Sequence, residues 1–147
     1  VAKETGAGCM LMHMRGTPQT MQDFLDYNDI VQDVVLYFQE VIDELTAFGI
    51  DRQSLMIDPG IGFSKNVEQN LTLIRQLGDF KTLGLPILLG TSRKSFIGKI
   101  LEKDDPNERV WGTAASIAIG IANGAHVVRV HDISEMADVA RLSDCLT

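Results

Sequence analysis

Two basic residues flanked by two serines follow an apolar run in LLGTSRKSFIG, residues 88–98. A helix that starts at Ser92 would offer free N–H groups and a positive dipole end to an anion. Arg93 and Lys94 in that first turn oppose the dipole unless negative charge arrives. The segment predicts that Ser92 caps a helix and that Lys94 and Ser95 meet an anionic ligand. The alternative is that the two cations reach into solvent and the second serine is an ordinary first-turn residue.

A guanidinium and an imidazole are spaced two residues apart in HVVRVHD. On a strand, Arg129 and His131 share one face while Val128 and Val130 take the other. Together they suit a phosphate or pyrophosphate leaving group, through charge neutralisation and proton donation. The alternative is an ion pair between Arg129 and Asp132, which is less favoured because a strand interior is a costly place for an unneeded charge.

The third candidate is a carboxylate in LMIDPGIGF. Pro59 holds Asp58 extended, and Gly60 and Gly62 allow a planar ligand to approach the backbone closely. A carboxylate there can accept two hydrogen bonds from adjacent N–H donors, such as an aminopyrimidine edge. Asp-Pro-Gly is also a good turn sequence, and the residues alone leave the two interpretations about even.

Three further residues complete the set. Met12 could contact a flat ring through its thioether, although a strand methionine is more often part of the core. His13 alternates with it and is predicted to be structural. Trp111 and the Ala/Ile-rich helix around it are interpreted as a packing surface, which could face a partner subunit.

The elements that must position these side chains alternate between strand and helix. Four apolar runs predict parallel strands covered by helices: residues 9–14, 54–58, 85–90 and 125–131. Helical periodicity covers residues 29–49, 70–80 and 107–124, a shorter helix starts near Ser92, and Ser134 is the predicted N-cap of the last helix. The opening VAKETGAG is typical of the last turn of a helix that leads into a strand.

The βα repeat leaves two architectures, an open doubly wound sheet or part of a (βα)8 barrel. Neither GAGCML nor GIGFSK supplies the G-x-G-x-x-G fingerprint of a dinucleotide fold. A complete barrel needs about 250 residues, so this chain would provide half of one, the C-terminal half. In both architectures the ligand lies beyond the carboxyl ends of the strands.

Composition excludes several classes of protein. A chain of 147 residues that is 45% hydrophobic is sufficient for one core, and a net charge of −7 argues against a general nucleic-acid surface. Cys9 and Cys145 show no metal-binding spacing and are expected to be reduced thiols. There is no membrane-span-length apolar run and no signal peptide, so the cytoplasm is the expected location.

Four motifs carry a specific resemblance: LMHMRGTPQTMQ, DPGIGFSK, LLGTSRKSFIG and VVRVHD. In order and spacing they resemble the C-terminal half of the dihydropteroate synthase family, the folate-pathway target of sulfonamides. The resemblance implies that residues 1–147 are a single partial domain, the fifth to eighth βα units of a pterin-binding TIM barrel. It also implies the reaction, in which p-aminobenzoate displaces pyrophosphate from 6-hydroxymethyl-7,8-dihydropterin pyrophosphate to give 7,8-dihydropteroate.

The resemblance assigns roles residue by residue. Asp58 would bind the pterin ring, and Lys94 would reach the pterin as a catalytic residue. Arg129 and His131, also catalytic, would bind pyrophosphate. The remaining substrate-binding residues would be Met12, Phe63 and Gly90 around the pterin and Ser95 at the p-aminobenzoate carboxylate.

The family also implies a cofactor and a partner. Mg²⁺ is expected through the pyrophosphate and an Asn of the N-terminal half, with no metal ligand in this sequence. A homodimer through the C-terminal helices is expected, and neither nucleic acid nor a membrane is expected as a partner. Because strands that would carry further contacts are missing, we expect the chain alone to be nearly inactive.

Two alternatives remain open. A pterin-binding methyltransferase barrel shares the carboxylate site but has no use for a pyrophosphate pair. A non-catalytic pterin-binding or assembly fragment would keep the pocket without turnover.

Overall fold

Four short parallel strands alternate with helices along the chain, and the computed structural model describes all residues, 1–147. The strands are β1 (Cys9–Met12), β2 (Leu55–Asp58), β3 (Leu88–Leu89) and β4 (Val127–Val128). The helices are α1 (Ala2–Thr5), α2 (Ile30–Phe48), α3 (Val67–Arg75), α4 (Ser95–Leu101), α5 (Val110–Ala122) and α6 (Ile133–Leu146). Short 3-10 turns occupy Met21–Asp23, Arg52–Ser54, Leu77–Leu83 and Pro106–Arg109. The predicted α/β alternation is confirmed.

The strands follow one another in space in the order of the sequence. β1 pairs with β2 in parallel, and β3 pairs with β4 in the same way. An isolated parallel bridge between Ile57 and Ile87 joins the two pairs. A doubly wound sheet reverses its strand order at a switch point, whereas a barrel adds each new strand beside the last. The unreversed order supports the half-barrel interpretation.

Regular strand pairing is shorter than the apolar runs predict. Pro86 has no N–H to donate, which interrupts the ladder before β3. Beyond the paired residues, single links continue the alignment: His13 N–H donates to the Asp58 carbonyl, and Arg129 N–H donates to the Leu89 carbonyl, both at 3.0 Å. The ends of the apolar runs therefore keep the direction of the strands beyond the paired residues.

Two helix boundaries differ from the predictions for local reasons. α3 begins earlier than residue 70 because Asn66 and Gln69 form a capping box. It ends at Arg75, and the predicted remainder is the 3-10 turn Leu77–Leu83.

Both predicted serine caps are wrong. α4 starts at Ser95 with Lys94 in the N-cap position and no side-chain cap, and Ser92 lies outside the helix. α6 starts at Ile133, so Ser134 is already helical. The predicted end of α1 is confirmed, because Gly6 closes it in the left-handed conformation at φ 67°.

The core lies between the first helices and the sheet. The apolar stripe of α2 buries Val34, Phe38 and Ile42 completely. Asp29 caps this helix by accepting hydrogen bonds from the N–H groups of Val31 and Gln32. The opposing residues come from β2, α3 and the turn that follows it, and one cluster of 18 buried residues connects them.

The last two helices are much less covered than the sequence suggests. In α5 only Thr113, Ile117 and Gly120 are buried, and Trp111 is 80% exposed. The apolar sequence of residues 107–124 predicts a mostly buried helix, and within this chain that prediction is wrong. None of the helices combines the length and apolarity needed to cross a bilayer. Cys9 and Cys145 are both free.

Candidate functional site

A cavity of about 210 Å³ opens at the carboxyl ends of the strands. Its lining residues are Met10, Met12, Asp58, Phe63, Gly90, Ser92, Lys94, Arg129, Val130 and His131. Seven of the eight sequence-predicted site residues are among them, since only Ser95 is missing from the set. A larger apolar groove of about 290 Å³ lies between α3, α4 and α5, but Arg75 is its only charged residue.

Asp58 is the only acid of the cavity and is 6% exposed. Its Oδ1 accepts a hydrogen bond from the N–H of Gly60 at 2.8 Å, which fixes the carboxylate plane. Burial raises the pKa of Asp58, while that hydrogen bond and the charges of Lys94, Lys65 and Arg129 act in the opposite direction. The carboxylate is thus partly desolvated and held ready to accept donors from a ligand.

Gly60 is required where the chain turns after β2. It has φ +73°, and a Cβ at this position would overlap the carbonyl oxygen of His13. Only glycine allows the loop that carries Asp58 to lie so close to the end of β1.

Lys94 reaches into the cavity from the loop after β3. Its Nζ donates to the carbonyl of Ile61 and lies 4.7 Å from the centre of the Phe63 ring. Burial lowers the pKa of Lys94 to about 8; the Asp58 charge raises it and the Arg129 charge lowers it. An amine with this pKa can act as a cation or give up a proton near neutral pH.

Arg129 and His131 follow β4 and line the same cavity. Asp132, the alternative partner of Arg129, instead forms a salt bridge with Arg93 at 2.5 Å. The Arg129 charge therefore remains directed to the cavity. Val130 also lines it, so the strict alternation of faces predicted for this segment is wrong, because regular pairing ends at Val128.

Ser95 is the one predicted site residue that lies elsewhere. It is exposed, and it borders a separate depression of about 100 Å³ together with Gly62 and Lys99. Gly62 belongs to the loop that carries Asp58, so the two depressions share one wall. The helix that Ser95 begins has only seven residues and no side-chain cap.

The cavity does not have the ligands of a resident metal ion. No group of three or more His, Cys, Asp or Glu side chains is arranged to bind a metal. Around the one carboxylate stand Lys94 and Arg129, whose charges repel a cation. The chemistry that the residues support is the binding of a donor-rich ring at Asp58 and of an anion at the cations.

Comparison with known proteins identifies the family of the chain. The family model described as "Pterin binding enzyme" matches residues 1–131. The chain belongs to the pterin-binding enzyme family.

Among the curated members, a dihydropteroate synthase of Synechocystis is 49% identical over 146 residues, which are 99% of this chain and 50% of that protein. The dihydropteroate synthase of Escherichia coli K12 is 43% identical over 141 residues, 96% of this chain and 50% of that protein. The chain therefore spans about half the length of the curated relatives that it matches.

Solved structures of the family superpose closely. Yersinia pestis dihydropteroate synthase with a sulfonamide drug has a TM-score of 0.95 and 37% identity, over 99% of this chain and 53% of that one. The Xanthomonas albilineans synthase with 4-aminobenzoic acid has a TM-score of 0.91 and 33% identity, over 99% of this chain and 51% of that one. The Thermus thermophilus synthase in complex with 6HMPPP has a TM-score of 0.92 and 33% identity, over 99% of this chain and 57% of that one. The fold is thus about half of the TIM barrel of this family.

Lys65 is a buried cation beside the cavity that the sequence motifs alone do not single out. Lys65 is 4% exposed, and its Nζ lies 2.9 Å from His13 Nδ1 and donates to the Phe63 carbonyl at 2.9 Å. Burial lowers its pKa to about 7. Burial and the charges of Lys65 and Arg15 lower the pKa of His13 to about 3. The contact of His13 with the Tyr37 ring on α2, at 4.9 Å, confirms its predicted structural position.

Two side-chain links between the β3 and β4 loops were also missed. Ser92 contacts His131, and Arg93 pairs with Asp132. The motif letters SRK and RVHD contain all four residues, but nothing in a single sequence shows that they meet.

Proposed function

We propose that this chain provides the pterin and pyrophosphate sites of a dihydropteroate synthase. The reaction joins 6-hydroxymethyl-7,8-dihydropterin pyrophosphate to p-aminobenzoate, forming 7,8-dihydropteroate and releasing pyrophosphate. The observation that carries the proposal is the convergence of Asp58, Lys94, Arg129 and His131 on one cavity. Family membership over residues 1–131 supports it.

The pterin ring is assigned to Asp58. One carboxylate oxygen is held by Gly60, which leaves the other for the adjacent N–H donors of an aminopyrimidine edge. Met12, Phe63 and Gly90 line the same space and would hold the flat ring. Lys94, next to Phe63, would bind a polar atom of the ring from the other loop.

The pyrophosphate is assigned to Arg129 and His131. As the bond between the methylene carbon and the bridging oxygen breaks, negative charge develops on the departing pyrophosphate. The guanidinium neutralises that charge and the imidazole donates a hydrogen bond to it. The amine nitrogen of p-aminobenzoate then bonds to the methylene carbon and loses a proton.

The second substrate is assigned to the depression beside Ser95. The Xanthomonas relative was solved with 4-aminobenzoic acid and the Thermus relative with 6HMPPP, which supports a place for each kind of ligand in the family. Mg²⁺ would be carried by the pyrophosphate and held by residues outside this sequence, so no step is assigned to a metal on this chain.

The experiment is calorimetry on the chain with two separate probes, 6-hydroxymethylpterin and inorganic pyrophosphate. Asp58→Asn should lose pterin binding by at least about tenfold and keep pyrophosphate binding, because a neutral amide accepts fewer charge-assisted hydrogen bonds. Arg129→Met should show the opposite pattern. Ser143→Ala, a buried serine of α6, is the matched control and should change neither.

Pterin binding that survives Asp58→Asn would contradict the assignment. Pterin binding without pyrophosphate binding would favour a pterin-binding methyltransferase-type site instead. Because the chain spans half of its relatives, we propose that by itself it binds without appreciable turnover. Turnover by the chain alone, comparable to that of a complete synthase, would contradict this part. A chain that binds pterin but supports no turnover even when the N-terminal half of a synthase is supplied would be a non-catalytic pterin-binding fragment.

A further inference from the structure

The alignment of β3 and β4 continues beyond their last backbone pair through side chains. The paired residues are Leu88 with Val127 and Leu89 with Val128, an offset of 39 residues. Ser92 and His131 have the same offset, and so do Arg93 and Asp132. Two consecutive side-chain links thus join the loops that carry Lys94 and Arg129.

The first link is made by one hydroxyl. Ser92 Oγ accepts a hydrogen bond from the backbone N–H of His131 at 3.1 Å. The same Oγ lies 2.8 Å from Nδ1 of the His131 ring. Ser92 is 6% exposed, so its hydroxyl has little access to water.

The position of the hydroxyl proton follows from these contacts. A serine hydroxyl has one proton to donate and needs an acceptor for it when buried. The backbone N–H of His131 is a donor, so the ring Nδ1 is the acceptor within reach. A neutral ring that accepts at Nδ1 carries its own proton on Nε2.

The second link holds the first in place. Arg93 Nε donates to Asp132 Oδ2 at 3.1 Å and Nη2 donates to Oδ1 at 2.5 Å, a bidentate pair. A third donor, Nη1, reaches Asn107 Oδ1 at 2.5 Å. Since Arg93 and Asp132 directly follow Ser92 and His131, this pair keeps the hydroxyl and the imidazole in register.

We propose that Ser92 is a positioning residue that sets the tautomer of His131, so that the neutral ring presents Nε2–H to an anion in the cavity. His131 then donates a hydrogen bond without first having to bind a proton. Arg129 supplies the positive charge, and the two residues divide the task. The identification of the anion as pyrophosphate rests on the proposed function.

The first test reads the ring directly. The chain has three histidines, so imidazole ¹⁵N-labelled protein gives three ring patterns in long-range ¹H–¹⁵N spectra, and His131→Gln assigns the relevant one. His126 is an internal reference, because its Nδ1 accepts the N–H of Ile87 at 3.1 Å and must be unprotonated. At alkaline pH, where imidazoles are neutral, His131 should show the same pattern as His126. A pattern with the proton on Nδ1 would overturn the proposal.

The variants separate the hydroxyl from the side-chain volume. Ser92→Ala should move His131 toward a mixture of tautomers and leave His126 unchanged, whereas Ser92→Thr, which keeps the hydroxyl, should retain the original pattern. Ser143→Ala is the control for loss of a buried hydroxyl elsewhere. An unchanged His131 pattern in Ser92→Ala would overturn the proposal.

Pyrophosphate titration connects the tautomer to binding. Ser92→Ala should weaken the affinity about fivefold, the usual effect of one misdirected hydrogen bond, and Ser92→Thr should restore most of it. If the unaltered chain binds no pyrophosphate while His131 shows the expected pattern, the proposed function fails and the tautomer assignment stands. If pyrophosphate binds through Arg129 but Ser92→Ala has no effect on affinity, the role of Ser92 in binding is refuted.

Discussion

Gly60 shows how one residue can decide whether the site forms. Its φ of +73° is accessible to glycine, and a Cβ would overlap the His13 carbonyl oxygen, which is fixed at the end of β1. The overlap involves backbone on both sides, so a rotamer change cannot relieve it. The position of the Asp58 carboxylate therefore depends on residue 60 being glycine.

Gly60→Ala should lower the free energy of unfolding by more than about 2 kcal/mol, since backbone strain and overlap add. Gly6→Ala is the matched control, because Gly6 has φ +67° but nothing lies within 4 Å of where an added Cβ would be. This substitution should lower the free energy of unfolding by about 1 kcal/mol only. Denaturant unfolding measures both. Equal losses in the two variants would show that overlap with His13 is unimportant.

Lys65 links stability to pH. In the folded chain its pKa is lowered to about 7 by burial, whereas its ordinary value is 10.5. Between these values the unfolded chain binds more protons than the folded chain, so the free energy of unfolding rises with pH across this window. Lys94, whose pKa is lowered to about 8, acts in the same direction.

Lys65→Met should therefore flatten the rise in stability between about pH 7 and pH 10, by up to about 1.4 kcal/mol per pH unit. Chemical denaturation at a series of pH values measures the slope. Lys99→Met, at an exposed position of α4, is the control and should keep the original slope. A Lys65→Met slope equal to that of the unaltered chain would contradict the assignment.

The residues at strand ends were the part of the site that the sequence could predict. Asp58, Lys94, Arg129 and His131 each follow an apolar run, and parallel strands bring their carboxyl ends to one edge. Ser92 was wrongly predicted as a helix cap because the capping rule is local, whereas its partner His131 is 39 residues away. The contact of Lys65 with His13 spans 52 residues and depends on the path of one loop.

At the scale of elements, α3 supports the loop that carries Asp58. Asn70 of α3 is 2% exposed, and its Oδ1 accepts the N–H of Gly62 at 2.7 Å. Its Nδ2 donates back to the carbonyl of Asn66 at 2.7 Å. The amide thereby ties the glycine turn to the first turn of the helix.

Asn70→Leu should lower the free energy of unfolding by about 1 to 3 kcal/mol, because the Gly62 N–H loses its acceptor. It should also weaken pterin binding, since the loop is less constrained. Glu68→Gln on the exposed surface of the same helix should stay within about 0.5 kcal/mol. Unfolding and pterin titration measure the two effects, and a stable variant with normal pterin affinity would exclude this role for α3.

The architecture was more predictable than the boundaries of its elements. Continuous apolar runs and period-3.6 patterns place all four strands and the main helices, but pairing beyond Leu89 or Val128 depends on neighbours that a single run does not specify. The sequence predicts that Trp111 belongs to a packing surface, but whether the residue is buried depends on what covers α5.

At the scale of the whole molecule, apolar side chains remain uncovered on the C-terminal helices. Trp111 and Ile119 of α5 are 80% and 53% exposed, and Leu142 and Leu146 of α6 are 62% and 77% exposed. We propose that a second copy of the chain covers this α5–α6 surface, as in the homodimer that the family resemblance implies. The net charge of −7 would disfavour association, so the apolar contact has to outweigh it.

Trp111→Glu should shift the chain from dimer to monomer, weakening association at least about tenfold, because a central aromatic contact is replaced by a charge. Light scattering after size-exclusion chromatography measures the mass. Phe48→Glu, an equally drastic change at a 65% exposed residue of α2, should leave the dimer intact. A monomeric unaltered chain would contradict the proposal.

The shared offset of 39 residues between β3 and β4 makes assembly of the cavity cooperative. A slip of one residue in the alignment would place Val130 or Asp132 opposite Ser92. It would also turn each neighbouring side chain of the strand to the opposite face of the sheet. Backbone pairs, the hydroxyl link and the salt bridge would all be lost together, so a half-formed cavity has no stable geometry. An engineered insertion in the turn at residues 102–106 that preserves the alignment of β3 and β4 should therefore keep ligand binding. An insertion that shifts this alignment should abolish ligand binding.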